Sequence, residues 1–287
     1  MEAGELLGTV AFAVTIAVLV SASVSDWRDR EVPDWHWIVI GVLGLIIMLA
    51  YSVLQTGFRW EYVCLAIGTS LILFDIFADR DFDPFLFYFT MALLFIVPLY
   101  SDTSDQIMRA WASIPVCYLI YLGMYVLGIV RGGADVKCLI VLSVMFPLYP
   151  RFLGMPLIDV PGNIAGQIFV YSVSVLFLAA VATIPVILYF VARNIRNGDR
   201  SRKMFSGYRM SVNRAEGANV WPTEDVVDGK LKTISIPDEE EMDGIYARLK
   251  EEGYDTVWVT PMIPFIIMIT AAVAVVTLIG NPLFLIF

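Results

Sequence analysis

One histidine, His36, and three cysteines, Cys64, Cys117 and Cys138, are all that this chain of 287 residues offers to soft metal or thiol chemistry. The cysteines lie in separate apolar runs with neither pairing nor zinc spacing, so no disulfide framework and no zinc site is expected, and they read as small buried hydrophobes. A single histidine removes histidine-rich metal centres and argues against a Ser-His triad. Flanked by Trp35 and Trp37, it reads as part of an interfacial aromatic belt. Charge is scarce too: 16% of residues are charged, and 19 Lys and Arg against 28 Asp and Glu leave a net charge of −9. With no basic stripe to neutralise phosphates, nucleic acid is not expected as a partner.

What fills the chain instead is hydrocarbon. Hydrophobic residues make up 59% of it, and a mean hydropathy of +0.75 is that of a polytopic membrane protein. A spanning helix needs about 20 apolar residues. Runs of that kind fall at about 6–24, 35–54, 62–78, 85–100, 107–130, 164–191 and 261–279, with a shorter one at 136–149. The expected fold is therefore an all-α polytopic membrane protein of about eight transmembrane helices. The first run is preceded by Glu2 and Glu5 and followed by Asp26-Trp27-Arg28. It lacks the basic flank and small-residue cleavage site of a signal peptide and is expected to stay as a helix.

Counting cations places Arg59, Arg109 and Arg151 in outer loops and the other Lys and Arg inside, as the positive-inside rule requires. The hydrophilic stretch 192–260 is expected as a small cytosolic α/β domain inserted before the last helix. Residues 231–237 and 256–260 alternate as strands, and 238–252 reads as a helix with Ile245, Tyr246 and Leu249 on its apolar face and a stop at Gly253. Its basic lead-in, Arg193 to Lys203, suits an anionic inner leaflet. This divides the chain into a membrane domain at 1–191, a soluble domain at 192–260 and a final helix at 261–287.

Against that background, Arg131-Gly132-Gly133-Ala134-Asp135-Val136-Lys137 is anomalous. Glycines let backbones approach closely or a helix begin, and a carboxylate at the edge of hydrocarbon is tolerated where it pairs, faces a watery cavity or does chemistry. The short run after Asp135 suggests that it lies in the first turns of a helix entering the membrane. The crossing parity puts Asp135 on the same face as Asp26, at the end of the first helix. Two carboxylates brought together share a proton and titrate as a pair. That is the equipment of an aspartyl protease, in which one carboxylate takes a proton from water and the other polarises a peptide carbonyl, without metal or cofactor. The same face holds Asp29, Asp34, Asp75, Asp79, Asp81 and Asp83. Asp75, inside an apolar run, is the competitor for the pair. The others form an acidic rim that attracts a basic segment.

The stretch from Ser25 to Trp35 after the first helix, together with Gly132 to Lys137 at the start of a later one, resembles the two motifs of the type IV prepilin peptidase family. The archaeal preflagellin peptidase branch of these GxGD-type aspartyl proteases is similar also in having a cytosolic domain before the last helix. The resemblance implies that Asp26 and Asp135 are the catalytic pair, with Gly132, Gly133 and Lys137 as supporting motif residues. It further implies that the substrate is an archaellin or pilin precursor with a short basic leader ahead of a hydrophobic helix. That leader would meet Asp29, Asp34, Asp79, Asp81 and Asp83 at the cytoplasmic face of the cell membrane. Two departures stand out: Ala134 occupies the place of the second motif glycine, and the interval between the aspartates holds one more hairpin than a minimal member needs. The paired CxxC of methylating bacterial members is missing, so no methyltransferase activity is expected. The rival readings from the residues are a proton-coupled transporter using the same carboxylates and a membrane anchor presenting 192–260. Against the transporter, the carboxylates lie at one face and no internal repeat is visible.

Overall fold

The computed structural model describes residues 3–78, 83–101, 105–130, 132–235, 237 and 239–286. Its helices and strands run α1 (Ala3–Asp29), α2 (Trp35–Thr56), α3 (Trp60–Phe77), α4 (Pro84–Ser101), α5 (Gln106–Val126), α6 (Gly133–Met145), α7 (Ile164–Ile168) and α8 (Tyr171–Asn197). Then follow β1 (Tyr208–Ser211), α9 (Val212–Ala215), β2 (Val220–Pro222), β3 (Glu224–Val227), β4 (Lys230–Thr233), α10 (Glu239–Glu251), β5 (Thr256–Pro261) and α11 (Phe265–Leu278). Each of the eight apolar runs contains a helix. Helices α1, α2, α3, α5 and α8 are long and apolar enough to cross a membrane, while α4 and α11 are apolar and shorter. The chain is a polytopic membrane protein with a small sheet-bearing domain. It divides into two compact units, one of residues 1–180 and 264–287, the other of 181–263.

In the first unit the helices that carry the two aspartates share two neighbours. Helix α2 packs against both α1 and α6, and α11 packs against both as well. The α2–α6 seam is close because of two glycines: a Cβ on Gly44 would lie 2.6 Å from the Met145 Cα, and one on Gly41 would lie 2.8 Å from Leu73 and 3.3 Å from Val141. Small residues are what let membrane helices approach in this way, where lipid tails supply no hydrophobic drive. Large buried side chains, Trp37, Trp111, Tyr62, Tyr118, Tyr121 and Tyr171 among them, fill the centre. Three of them meet small hydroxyls: Tyr121 donates to Ser172 at 2.8 Å, the Trp111 indole to Ser52 at 3.0 Å, and the Tyr171 and Thr277 hydroxyls share a 2.6 Å bond.

The run at 164–191 is not one helix. The short α7, capped by Asn163 through Ala165 N–H at 3.0 Å, stops at Ile168, and α8 begins at Tyr171. The Phe169 carbonyl released by this break accepts instead from the Tyr149 hydroxyl at 2.8 Å and the Ser174 hydroxyl at 3.3 Å. Hydropathy alone does not register such a break, because the side chains on either side remain apolar.

His36 also differs from expectation. Trp35 is exposed, but Trp37 and His36 are buried. The imidazole Nδ1 lies 2.9 Å from the Pro33 carbonyl and Nε2 lies 3.1 Å from Ser21 Oγ. A carbonyl only accepts, so Nδ1 carries the hydrogen and Nε2 accepts from the serine. His36 ties α2 to α1 instead of lining an interface.

In the second unit β5 is the centre of a three-stranded antiparallel sheet, ordered β1-β5-β2, with Tyr208 opposite Val259 and Trp221 opposite Thr260. Strands β3 and β4 form a separate hairpin. Helix α10 buries Ile245, Tyr246 and Leu249 as anticipated and ends before Gly253, where φ is 76°. The expected strand at 231–237 is shorter: β4 ends at Thr233 and the Ile234 N–H turns to the Thr223 carbonyl at 3.1 Å, while Ile236 lies outside the described residues. Strands β1, β2 and β3 were not legible beforehand, being 4, 3 and 4 residues long. Two carboxylates hold this unit together. Buried Glu224 accepts from Lys203 Nζ at 2.6 Å and from the Trp258 N–H at 3.0 Å, and Asp225 is held bidentately by Arg248 at 3.0 and 2.7 Å.

Candidate active site

Asp26 lies in the last turn of α1, which continues to Asp29. Its Oδ2 accepts a hydrogen bond from the Ile266 backbone N–H at 3.2 Å. Ile266 is in the first turn of α11, where a helix has amide hydrogens with no partner of its own and carries partial positive charge. The final helix thus delivers a donor to a carboxylate near the start of the chain. Nearby, Ser23 and Thr270 share a 2.8 Å bond that fixes α1 against α11. Arg30 adds a cation whose charge reaches Asp26. Its backbone is left-handed, with φ 58°, and its guanidinium packs 5.8 Å from the Trp27 ring. The Arg30 Nε and Nη1 atoms are buried without a hydrogen-bond partner.

Asp135 enters from the first turn of α6, whose N-cap is Gly132. The need for glycine there is steric: a Cβ on Gly132 would collide with the Asp135 carboxylate, whereas one on Gly133 would meet nothing. Ala134, at the place of the motif's second glycine, packs half-buried against the core. Its methyl is accommodated, so the departure at this position leaves the helix start intact. Lys137, two residues after Asp135, donates to Asp34 in the connection that follows α1, which puts the end of α1 with Asp26 and the start of α6 with Asp135 at the same end of the bundle although the helices are distant in sequence.

The other acids are placed differently. Asp75 accepts a hydrogen bond from the Tyr118 hydroxyl, joining α3 to α5. Asp34 is bound by Lys137, whose Nζ donates to Oδ1 and Oδ2 at 2.7 Å each and sits 5.7 Å from the Phe77 ring. Asp83 accepts from the Leu86 N–H at 3.1 Å at the start of α4. Asp29 is exposed at the end of α1. Asp79 and Asp81 lie outside the described residues. Three features of the site had no signal in the sequence: the Ile266 amide, the engagement of Asp34 by Lys137, and the His36–Ser21 tie. All depend on how distant helices pack.

Two family models and several relatives match the chain. Residues 13–87 match the Type IV leader peptidase family, and residues 200–281 match Archaeal Peptidase A24 C-terminus Type II. Asp26 lies within the first match and Asp135 between the two. A preflagellin peptidase of Methanococcus maripaludis is 27% identical over 92% of this chain and 92% of its own length. One of Methanococcus voltae is 24% identical over 95% and 96%, and one of Methanocaldococcus jannaschii 21% identical over 96% of each. No solved structure matches the chain. The resemblance read from the two motifs therefore extends over nearly the whole length, in the sheet-bearing unit as well as the helices.

Proposed function

We propose that this chain, which matches the Type IV leader peptidase family over residues 13–87 and is similar along its length to preflagellin peptidases, is a multi-pass membrane endopeptidase. It removes the short basic leader of archaellin or type IV pilin-like precursors at the cytoplasmic boundary of the membrane. The observation that carries the reading is the similarity to preflagellin peptidases along nearly the whole chain, and the meeting of the Asp26 and Asp135 helix ends through Asp34 and Lys137 supplies the candidate pair. One carboxylate of the pair takes a proton from water as the water oxygen attacks the scissile carbonyl. The other, protonated, donates to the carbonyl oxygen. When the tetrahedral intermediate collapses, the proton passes to the leaving amine and the C–N bond breaks.

In this scheme the substrate's hydrophobic helix lies among the spans and its leader meets the acidic face. Asp34 and Asp83 already serve protein partners, so the exposed Asp29 is the described rim carboxylate best available to a leader cation. The test is incubation of the full-length protein in lipid nanodiscs with a precursor carrying a basic leader, followed by mass spectrometry. The expected product ends at the junction of leader and hydrophobic segment, and addition of a methyl donor leaves its mass unchanged. An uncleaved precursor, or cleavage elsewhere, would overturn the reading.

A further inference from the structure

We propose that the Asp34–Lys137 ion pair is a positioning device that sets the rotation of α6, and with it the approach of Asp135 to Asp26. The inference rests on the peptidase reading above and concerns a residue pair that touches neither carboxylate. Asp34 occupies the N-cap of α2 but makes no capping hydrogen bond there, although aspartate is among the favoured capping residues. Its carboxylate is given over to a lysine 103 residues away. Lys137 follows Asp135 by two residues, about 200° around an α-helix, so the two side chains leave α6 on opposite flanks. Holding one flank by a pair of 2.7 Å bonds fixes where the other points.

Two further contacts make this a gauge between the aspartates. Deeper along the same seam, Gly44 lets α2 press on the backbone of Met145, so α2 holds α6 at both ends. On its other side α2 is tied to α1 by His36 and Ser21, five residues ahead of Asp26. Together with α11, which also packs on α1 and α6, α2 therefore sets the spacing of Asp26 and Asp135. Phe77, beneath the Lys137 ammonium, adds α3 to the support. The pair's side chains are 44% and 28% exposed, so neutralising one of them leaves a charge that water still reaches, and the fold is expected to survive.

The experiment is steady-state cleavage of a basic-leader precursor by the full-length protein in nanodiscs, with thermal melting measured on each sample. The variants are Asp34→Asn, Lys137→Met, Lys137→Arg and the exchange of Asp34→Lys with Lys137→Asp, with Asp26→Asn and Asp135→Asn as controls. Small displacements of reacting groups lower turnover steeply, so each neutralising variant is expected to lose about 10-fold or more in kcat with KM within about twofold. Lys137→Arg keeps most of the activity, and the exchange restores most of what the single variants lose. A raised KM in Asp34→Asn with Lys137→Met unaffected would make Asp34 a leader contact and overturn the inference. So would unchanged kcat in both single variants, or melting far below wild type with the exchange inactive. If the two control variants cleave normally, the peptidase reading itself fails, which the other outcomes leave standing.

Discussion

The backbone N–H of Ile266 donates to Oδ2 of Asp26 at 3.2 Å, so the last helix of the chain orients a carboxylate of the first. This bond can be deleted alone, by incorporating the α-hydroxy analogue of isoleucine at position 266, which replaces the amide with an ester. A hydrogen bond to a charged group is worth about 1.5–3 kcal/mol, so turnover is expected to fall by roughly 10- to 100-fold with the helices intact by circular dichroism. Wild-type turnover would show that α11 does not orient Asp26.

The glycines of the second motif are not equivalent. Gly132→Ala places a methyl against the Asp135 carboxylate, and Gly133→Ala places one in open space. The first substitution is expected to reduce cleavage by about 100-fold, since the carboxylate must move. The second is expected to stay within about twofold while raising helix stability by up to about 1 kcal/mol. Cleavage assays on the two variants decide it, and the reverse order of effects would contradict the steric account.

Along the α2–α6 seam, Gly44→Ala would drive a Cβ to 2.6 Å from the Met145 Cα, while Gly41→Ala meets mainly the flexible end of Leu73. Overpacking of this kind typically costs about 1–3 kcal/mol. Gly44→Ala should therefore melt lower than Gly41→Ala and lose more activity. Equal melting temperatures would mean that the seam relaxes freely.

In the sheet-bearing unit, Glu224 is buried and answers both Lys203 and the Trp258 amide. Glu224→Ala leaves an amide without its acceptor and a lysine without its partner. The unit is expected to lose about 2 kcal/mol, read as faster hydrogen exchange in β5 of the full-length protein. Lys232, half-exposed on Asp228, is the contrast: its replacement by Ala should change exchange little, because exposed pairs contribute about 0–1 kcal/mol. Equal effects at the two sites would contradict the assignment of Glu224 to the core.

The helices were legible because membrane spans are written in composition: each apolar run of the chain contains a helix, and the helix ends bearing Asp26 and Asp135 meet through Asp34 and Lys137. What composition cannot carry is the pairing of individual groups. Asp34 read as one of a row of solvated acids, yet it holds Lys137. His36 read as an interface residue from its tryptophan neighbours, yet it is buried between Ser21 and Pro33. The stretch 164–191 read as one helix because both sides of its break are apolar. The short strands β1 to β3 gave no alternation long enough to see, and the pairing of β1 and β2 with β5 depends on contacts some 35 to 50 residues apart.

The most direct test of the account is cleavage of a basic-leader precursor by Asp26→Asn, Asp135→Asn and Asp75→Asn, each shown to be folded and inserted. Loss of cleavage in the first two with retention in the third is the predicted result, because the Asp75 carboxylate is engaged by the Tyr118 hydroxyl. Cleavage that persists in Asp26→Asn or Asp135→Asn would contradict the claim that these two carboxylates carry the chemistry.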